Sequence, residues 1–323
     1  MKKIFSVFML ALLLFVVAGC GGNKERTYVA DGTYMAWKLT TQEVDITFPD
    51  STKKKVNTPA YITVAVTIHN DEVVGYYIDE RQATATPEFD ENGNITNVTF
   101  AFNDRTKKEL GYDYSMEWMA PQGEWFIQAG RLERAWLKNN KVEAVSSVTI
   151  TDEDYIEVAN AALQKAKDGK VGAITVGEHY DYDVVWVEAD IDANGKISNV
   201  VFDSQLFGRV SKQKEGIYNP ASADYLKFDW DPETKYESYP AMGHGDANAK
   251  RWQDQIDTFT DYVNENGWDG SIVPNATAGS TRMKGVNAGG EAIEALASVT
   301  IEVKGEIAAI NMLHNFFPFG WDE

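Results

Sequence analysis

The chain has 323 residues, and its 49 Asp and Glu outnumber 30 Lys and Arg to give a formal net charge of −19. That excess of acid excludes nucleic acid as a partner and makes an anionic membrane surface repel the folded body. A single cysteine, Cys20, leaves no disulfide framework, so stability must come from packed cores, for which this length is sufficient.

The chain opens with Lys2 and Lys3, an apolar run from Ile4 to Val17, and then Val17-Ala18-Gly19-Cys20. A short basic start, an apolar run too short to span comfortably and small residues before a cysteine predict a lipoprotein signal peptide over residues 1–19, with Cys20 as the lipidated residue. The alternative is an ordinary secretory signal with a chance cysteine. Loss of residues 1–19 removes Lys2 and Lys3 and moves the formal charge from −19 to −21. Residues 20–30, beginning with the polar run Gly21 to Arg26, are then a lipid-anchored tether.

Strands are expected from Tyr28 onward. Asp31 and Gly32 turn into an apolar and aromatic stretch ending at Trp37, and the β-branched run Tyr61 to Ile68 turns at Asn70-Asp71 into Val73 to Ile78. A second hairpin is expected at residues 89–94, leading into Ile95 to Phe102. Next come Thr106-Lys107-Lys108-Glu109, Met116, and a helical pattern over residues 124–137 that contains Trp125 and Trp136.

The stretch 143–151 (Glu-Ala-Val-Ser-Ser-Val-Thr-Ile-Thr) returns at 294–302 (Glu-Ala-Leu-Ala-Ser-Val-Thr-Ile-Glu). Behind the first copy, Thr151-Asp152-Glu153-Asp154 resembles a capping box. The helix predicted from there to residue 168 places Ile156, Ala159, Ala162, Leu163 and Ala166 on its apolar face and stops at Asp168-Gly169. A helix start offers unpaired N–H groups and a positive dipole end, so a threonine hydroxyl beside it can neighbour a phosphate or be esterified to one. The alternative is a strand entering a turn, with Thr149 an ordinary strand residue.

The second half repeats the order of the first. Val184 to Ile191 turns at Asp192-Ala193-Asn194-Gly195 into Ile197 to Phe202. Thr234-Lys235-Tyr236-Glu237, Met242 and a helix with Trp252 then match Thr106-Lys107-Lys108-Glu109, Met116 and the Trp125 helix. An insertion at 267–290, rich in Gly, Asn, Ser and Thr, is expected as an exposed loop. These patterns predict an α+β fold of two tandem domains, 31–169 and 170–323, each an antiparallel sheet with packed helices.

Other chemistry has little support in the sequence. His69, His179, His244 and His314 lack ligand spacing, so no metal site is expected. His244 lies in a Gly-rich turn; approach to a cofactor is its alternative role. Residues 90–94 and 190–195 lack a full EF-hand spacing and read as hairpin turns.

Both threonine stretches resemble the flavinylation motif of FMN-binding domains: an acidic residue, a short small-residue run and a threonine. In that family a flavin transferase joins FMN through its phosphate to the threonine hydroxyl. The resemblance implies two covalent FMN groups, at Thr149 and Thr300, with Glu143, Ser147, Glu294 and Ser298 in the recognition motif. The family usually has Asp at the positions of Glu143 and Glu294, Gly at Ser147 and Ser298, and Ala at Val148 and Val299. With the Thr-Lys-x-Glu landmark, Met116, Met242, Trp125 and Trp252, the mature chain is similar to extracellular electron-transfer lipoproteins of Gram-positive bacteria that carry two flavinylated, homologous domains. That implies a place on the extracellular face of the cytoplasmic membrane. It also implies electrons from a membrane NADH dehydrogenase or quinol pool, and delivery to acceptors such as ferric iron or quinones. The flavin would perform the redox step, with no catalytic side chain, and an extracellular ferric reductase activity would be possible. The competing reading is a lipid-anchored solute- or polymer-binding protein whose aromatics line a groove.

Overall fold

The computed structural model describes residues 26–116, 120–177, 183–208, 226–238, 252–273, 291–299 and 301–321. The expected signal peptide, Cys20, Met242, Thr300, His179, His244 and residues 274–290 lie outside them.

A four-stranded antiparallel meander opens the fold: β1 (Gly32–Thr47), β2 (Lys53–His69), β3 (Glu72–Phe89) and β4 (Ile95–Phe102). Two of its three hairpins, at 70–71 and 90–94, form where the sequence places them; the turn between β1 and β2, at residues 48–52, was not expected. Asn70 and Asp71 both take positive φ, +53° and +65°, which suits a two-residue hairpin turn. The Asp90 carboxylate accepts the N–H groups of Asn92 and Asn94 at 2.9 and 2.8 Å. β2 starts eight residues before the expected Tyr61 because its lysine-rich beginning pairs along β1, with Lys53 opposite Thr47. That end is held by a core of Ile46, Val56, Ile95, Val98 and Phe100, to which Phe207 and Phe228 add edge-on rings at 5.3 and 4.8 Å from Phe100. Three lysines in a row resemble a loop because only the buried neighbours reveal the strand.

Three helices follow: α1 (Lys107–Leu110), α2 (Trp125–Asn139) and α3 (Glu153–Asp168). α3 lies on β1 and β2, and α2 on β3. The apolar face of α3 is centred differently from the expectation. Tyr155 and Val158 are buried together with Ala159, Ala162 and Ala166, whereas Ile156 and Leu163 are half-buried at its margin. The expected capping box is also absent: Asp152 is the N-cap but makes no side-chain cap bond, and its carboxylate instead accepts the Val145 N–H at 3.3 Å. Gly169 closes α3 at φ +65°, where a Cβ would stand 2.6 Å from the Ile191 carbonyl oxygen.

Next comes a three-stranded antiparallel sheet of β5 (Lys170–Val176), β6 (Asp183–Ile191) and β7 (Ile197–Leu206). The sequence reading did not anticipate β5. Then follow α4 (Lys235–Ser238), α5 (Trp252–Asn266) and α6 (Lys304–Phe316). α6 lies on β5 and β6, and α5 on β7, so the helices meet this sheet as α3 and α2 meet the first. The protein is therefore α+β, with antiparallel sheets and packed helices.

The two sheets share buried surface. On one face of β1 and β2, Tyr34, Ala36, Ile62, Val64 and Val66 join the core that also takes in Leu132, Trp136 and Ala159. On the other face Met35, Tyr61 and Ala65 pack with Ile174 and Val184 of the second sheet. β2 is buried on both faces, which explains its continuous apolar run. Trp136 is fully buried, and its loss to Ala would cost about 3–5 kcal/mol.

Candidate functional site

Side chains of α2 pin the first threonine loop, and Gln128 is the one that holds the threonine itself. Gln128 has no exposed surface. Its Oε1 accepts the N–H of Thr149 at 2.6 Å, the Thr149 hydroxyl at 3.1 Å and the N–H of Ile150 at 3.3 Å, while its Nε2 donates to the Gly123 carbonyl at 2.8 Å. Thr149 itself is exposed and sits in irregular backbone shortly before α3, so it is not a strand residue. Trp136 Nε1 donates to the Glu143 carbonyl at 2.8 Å, and Lys141 reaches the Glu143 carboxylate at 2.6 Å. Ser147 is exposed; its carbonyl accepts Arg131 Nη1 at 3.3 Å, and the same nitrogen donates to the Gln122 carbonyl at 2.7 Å. Half-buried Met116 donates its N–H to Glu124 at 2.9 Å.

A buried ionic network joins β3, α1 and the first turns of α2 and α3. Thr106 caps α1 with a true capping box, so Thr-Lys-x-Glu starts a helix. The Thr106 hydroxyl also donates to Asp79 at 2.7 Å, and the Lys108 N–H donates to the same carboxylate at 3.1 Å. Burial raises the Asp79 pKa, against the lowering effect of these donors. The cap delivers Lys107 inward, where Nζ meets Glu80 at 2.8 Å with both side chains 8% exposed. Glu80 also accepts the Tyr155 hydroxyl at 2.8 Å and Gln82 Nε2 at 2.6 Å. Trp125 Nε1 donates to the Tyr155 oxygen at 3.1 Å. Burial first, and then the Glu80 charge, push the Tyr155 hydroxyl far above the ordinary tyrosine range. Lys107 Nζ lies 5.4 Å from the Trp125 ring centre and 5.0 Å from that of Tyr114.

Much of this pattern recurs in the second half. Thr234 and Glu237 exchange the same reciprocal cap bonds at 2.9 and 3.2 Å. The Tyr236 N–H donates to Asp203 at 3.0 Å, as that of Lys108 does to Asp79. Lys235 Nζ stands 4.8 Å from the buried Trp252 ring. Gln255 Oε1 accepts the Ile301 N–H at 3.1 Å, the counterpart of Gln128 and Ile150. Glu294 is exposed at the start of a 3-10 turn, Glu294–Leu296, and Ser298 is half-buried. Thr258 stands in the place of Arg131 when the two Trp helices are aligned on Trp125 and Trp252.

Gln128 and Gln255 were not picked out from the sequence, although Trp-x-x-Gln in both helices was a usable signal. A separate cleft of about 240 Å³ is lined by Tyr262, Trp268, Asp269, Ser271 and Trp321, among others. Trp321 Nε1 is buried without a hydrogen-bond partner among the described residues. No group of three or more His, Cys, Asp or Glu among the described residues could hold a metal ion, and no described helix is long and apolar enough to cross a membrane.

Searches against protein-family models, curated proteins and solved structures give no match to this chain.

Proposed function

We propose that the chain is a lipid-anchored, extracellular electron carrier of two homologous FMN-binding domains, with FMN joined through its phosphate to Thr149 and Thr300 by a flavin transferase. The observation that carries this reading is the way Thr149 is presented: an exposed hydroxyl on a loop whose backbone is held from beneath by Gln128. Esterification would remove only the hydroxyl bond to Gln128. The two N–H bonds would remain, so the loop can keep its conformation with the phosphate attached. Arg131, already bonded to the Ser147 carbonyl, is the cation best placed to balance a phosphate there.

When bound, FMN would supply the redox chemistry. The chain's own residues would fix the attachment loop, and the buried Lys107–Glu80 pair would brace α1 against β3. Attachment suits an external carrier, since a dissociable cofactor would be diluted away. Electrons would come from a membrane NADH dehydrogenase or quinol pool and pass to ferric iron or quinones.

The cleft at Trp268 and Trp321 favours the second reading, a lipid-anchored solute-binding protein, because aromatic rings beside polar groups suit a small polar ligand. The deciding experiment is an intact mass, with in-gel fluorescence after denaturation, of the protein purified from a host that has the transferase. Two added FMN masses support the carrier; an unmodified mass with no fluorescent band removes it.

A further inference from the structure

The segment that follows the expected tether is fastened to the β2–β3 turn. The Asp71 carboxylate accepts the N–H of Thr27 at 2.9 and 3.1 Å and that of Tyr28 at 2.9 Å. Asp31 accepts the Asn70 N–H at 2.6 Å. The Val29 N–H donates to the Ala166 carbonyl at 3.0 Å, and the Tyr34 hydroxyl to the Ala30 carbonyl at 2.8 Å. From Thr27 onward the backbone therefore belongs to the fold. Six residues, Cys20 to Glu25, separate the proposed lipid from Arg26, and fully extended they reach about 20 Å.

Both threonine loops adjoin the opposite end. α3 finishes beside this tether junction, at Ala166 and Gly169, while its first turn stands further along β1, where Lys38 Nζ meets Asp154 at 2.9 Å. Its 16 residues span about 24 Å, and the Thr149 loop precedes their far end. The second half is laid out in the same direction. β5 leaves from Gly169, where a Cβ would lie 3.4 Å from Val29, and passes Trp37, which a Cβ on Gly172 would meet at 3.1 Å. It gives way to Gly177, and there α6 begins: a Cβ on Gly305 would lie 3.4 Å from Gly177 Cα. α6 then runs back to the junction, where the Phe317 ring lies against Gly32 and meets the Tyr34 ring edge-on at 5.2 Å. Val299 and Ile301, on either side of Thr300, thus stand a helix length from the junction, as the Thr149 loop does.

We propose that the two loops form one electron-exchange end held off the lipid, whose donor is a protein domain standing above the bilayer and not a quinol dissolved in it. This rests on the proposed anchor at Cys20 and on the proposed flavins. With the junction towards the membrane, the loops stand about 24 Å farther out. Turning the body over would lift the junction by as much, beyond the roughly 20 Å that the tether can span. It would also press a chain of net charge −19 against anionic lipid. Electron transfer weakens steeply with distance, so a quinol confined to the hydrocarbon core is too far to pass its two electrons and two protons to either site. A donor whose own redox group stands above the lipid reaches both, as do acceptors arriving from the medium.

The geometry is tested without any flavin. The lipidated protein is placed in phosphatidylcholine liposomes that carry a nitroxide on the lipid headgroup, with a fluorophore on one added cysteine, since Cys20 is blocked by its lipid. The positions are Glu72→Cys beside the junction, Ser146→Cys in the first loop and Ala297→Cys in the second, all exposed. The label at 72 should be strongly quenched and those at 146 and 297 both spared. Quenching at either loop as strong as at 72 overturns the proposal, and no quenching at 72 overturns the anchor with it. The donor is tested on flavin-loaded protein in the same liposomes. A quinol held in the bilayer should reduce it many-fold more slowly than a short-chain, water-soluble quinol. A Gly/Ser run inserted after Gly22 that doubles the tether should narrow that gap and bring quenching to the loops. Equal rates with the two quinols in the unextended protein overturn the proposal. Protein purified without flavin would overturn the carrier reading and the donor with it, while the quenching pattern still decides the orientation.

Discussion

Gln128 Oε1 lies 2.6 Å from the Thr149 backbone nitrogen and 3.1 Å from its hydroxyl, so one buried amide fixes both the backbone and the side chain of the proposed attachment residue. Gln128→Ala would strand the Thr149 and Ile150 N–H groups and should cost about 1–3 kcal/mol, read as a lower urea midpoint. It should also reduce FMN incorporation at Thr149, measured by peptide mass. Gln128→Met, of similar length but without the acceptor, should lose as much incorporation as Gln128→Ala; incorporation kept in Gln128→Met would mean that the acceptor is not the cause.

Thr149→Ala and Thr300→Ala should each remove one denaturation-resistant flavin, and the double variant both, with the far-ultraviolet circular dichroism unchanged. Thr149 is exposed, so its truncation opens no cavity. Covalent FMN surviving in the double variant would refute the assignment.

Lys107→Met should destabilise the fold by about 3–5 kcal/mol, because it leaves the Glu80 carboxylate buried beside a thioether. Adding Glu80→Gln should recover part of that loss by removing the orphaned charge. Chemical denaturation of the two single variants and the double variant measures the coupling, and simple additivity would show that the pair is not energetically linked.

Acidification should loosen the start of the fold. The Asp31 carboxylate accepts the Asn70 N–H at 2.6 Å and pairs with Arg26. Burial opposes these contacts, yet their sum holds its pKa below the ordinary 3.8. A lowered folded pKa gives stability that is present above 3.8 and lost as pH falls through the lower value. Asp31→Asn should therefore show a shallower decline on the acid limb, followed by amide exchange at Asn70 and Asp71. An acid limb as steep as that of the wild type would rule out this contribution.

The proposed anchor can be tested apart from the fold. Cys20→Ser should release the protein from membranes and abolish its reduction by them, while leaving chemical reduction by dithionite intact. If the first site receives electrons and the second delivers them, Thr300→Ala should impair delivery to acceptors more than reduction of the remaining flavin. Equal impairment of both steps in the two threonine variants would indicate parallel sites.

The turns at 70–71 and 90–94 and the helices α2 and α3 were legible in the sequence because local chemistry fixes them: Asn70 and Asp71 accept the positive φ of a tight turn, Asp90 carries its own turn bonds, and Gly169 ends α3. The first strand residues of β2 were not, since Lys53, Lys54 and Lys55 owe their conformation to pairing with β1. β5 also went unread: it is short and follows α3 directly, and its apolar residues are explained by packing partners distant in sequence. At the site, Thr149 could be singled out as half of a repeated motif. Gln128 could not be found from helix periodicity, because a glutamine in an amphipathic helix reads as solvated until the loop that covers it is placed.

The apolar contact of Met35, Tyr61 and Ala65 with Ile174 and Val184 bears on how the polypeptide can be divided. A chain cut after residue 169 would yield two fragments, each with one bare sheet face, and each should self-associate or aggregate when made alone. Mixed during refolding, the fragments should reassemble into a non-covalent heterodimer, with the nick at the end of α3.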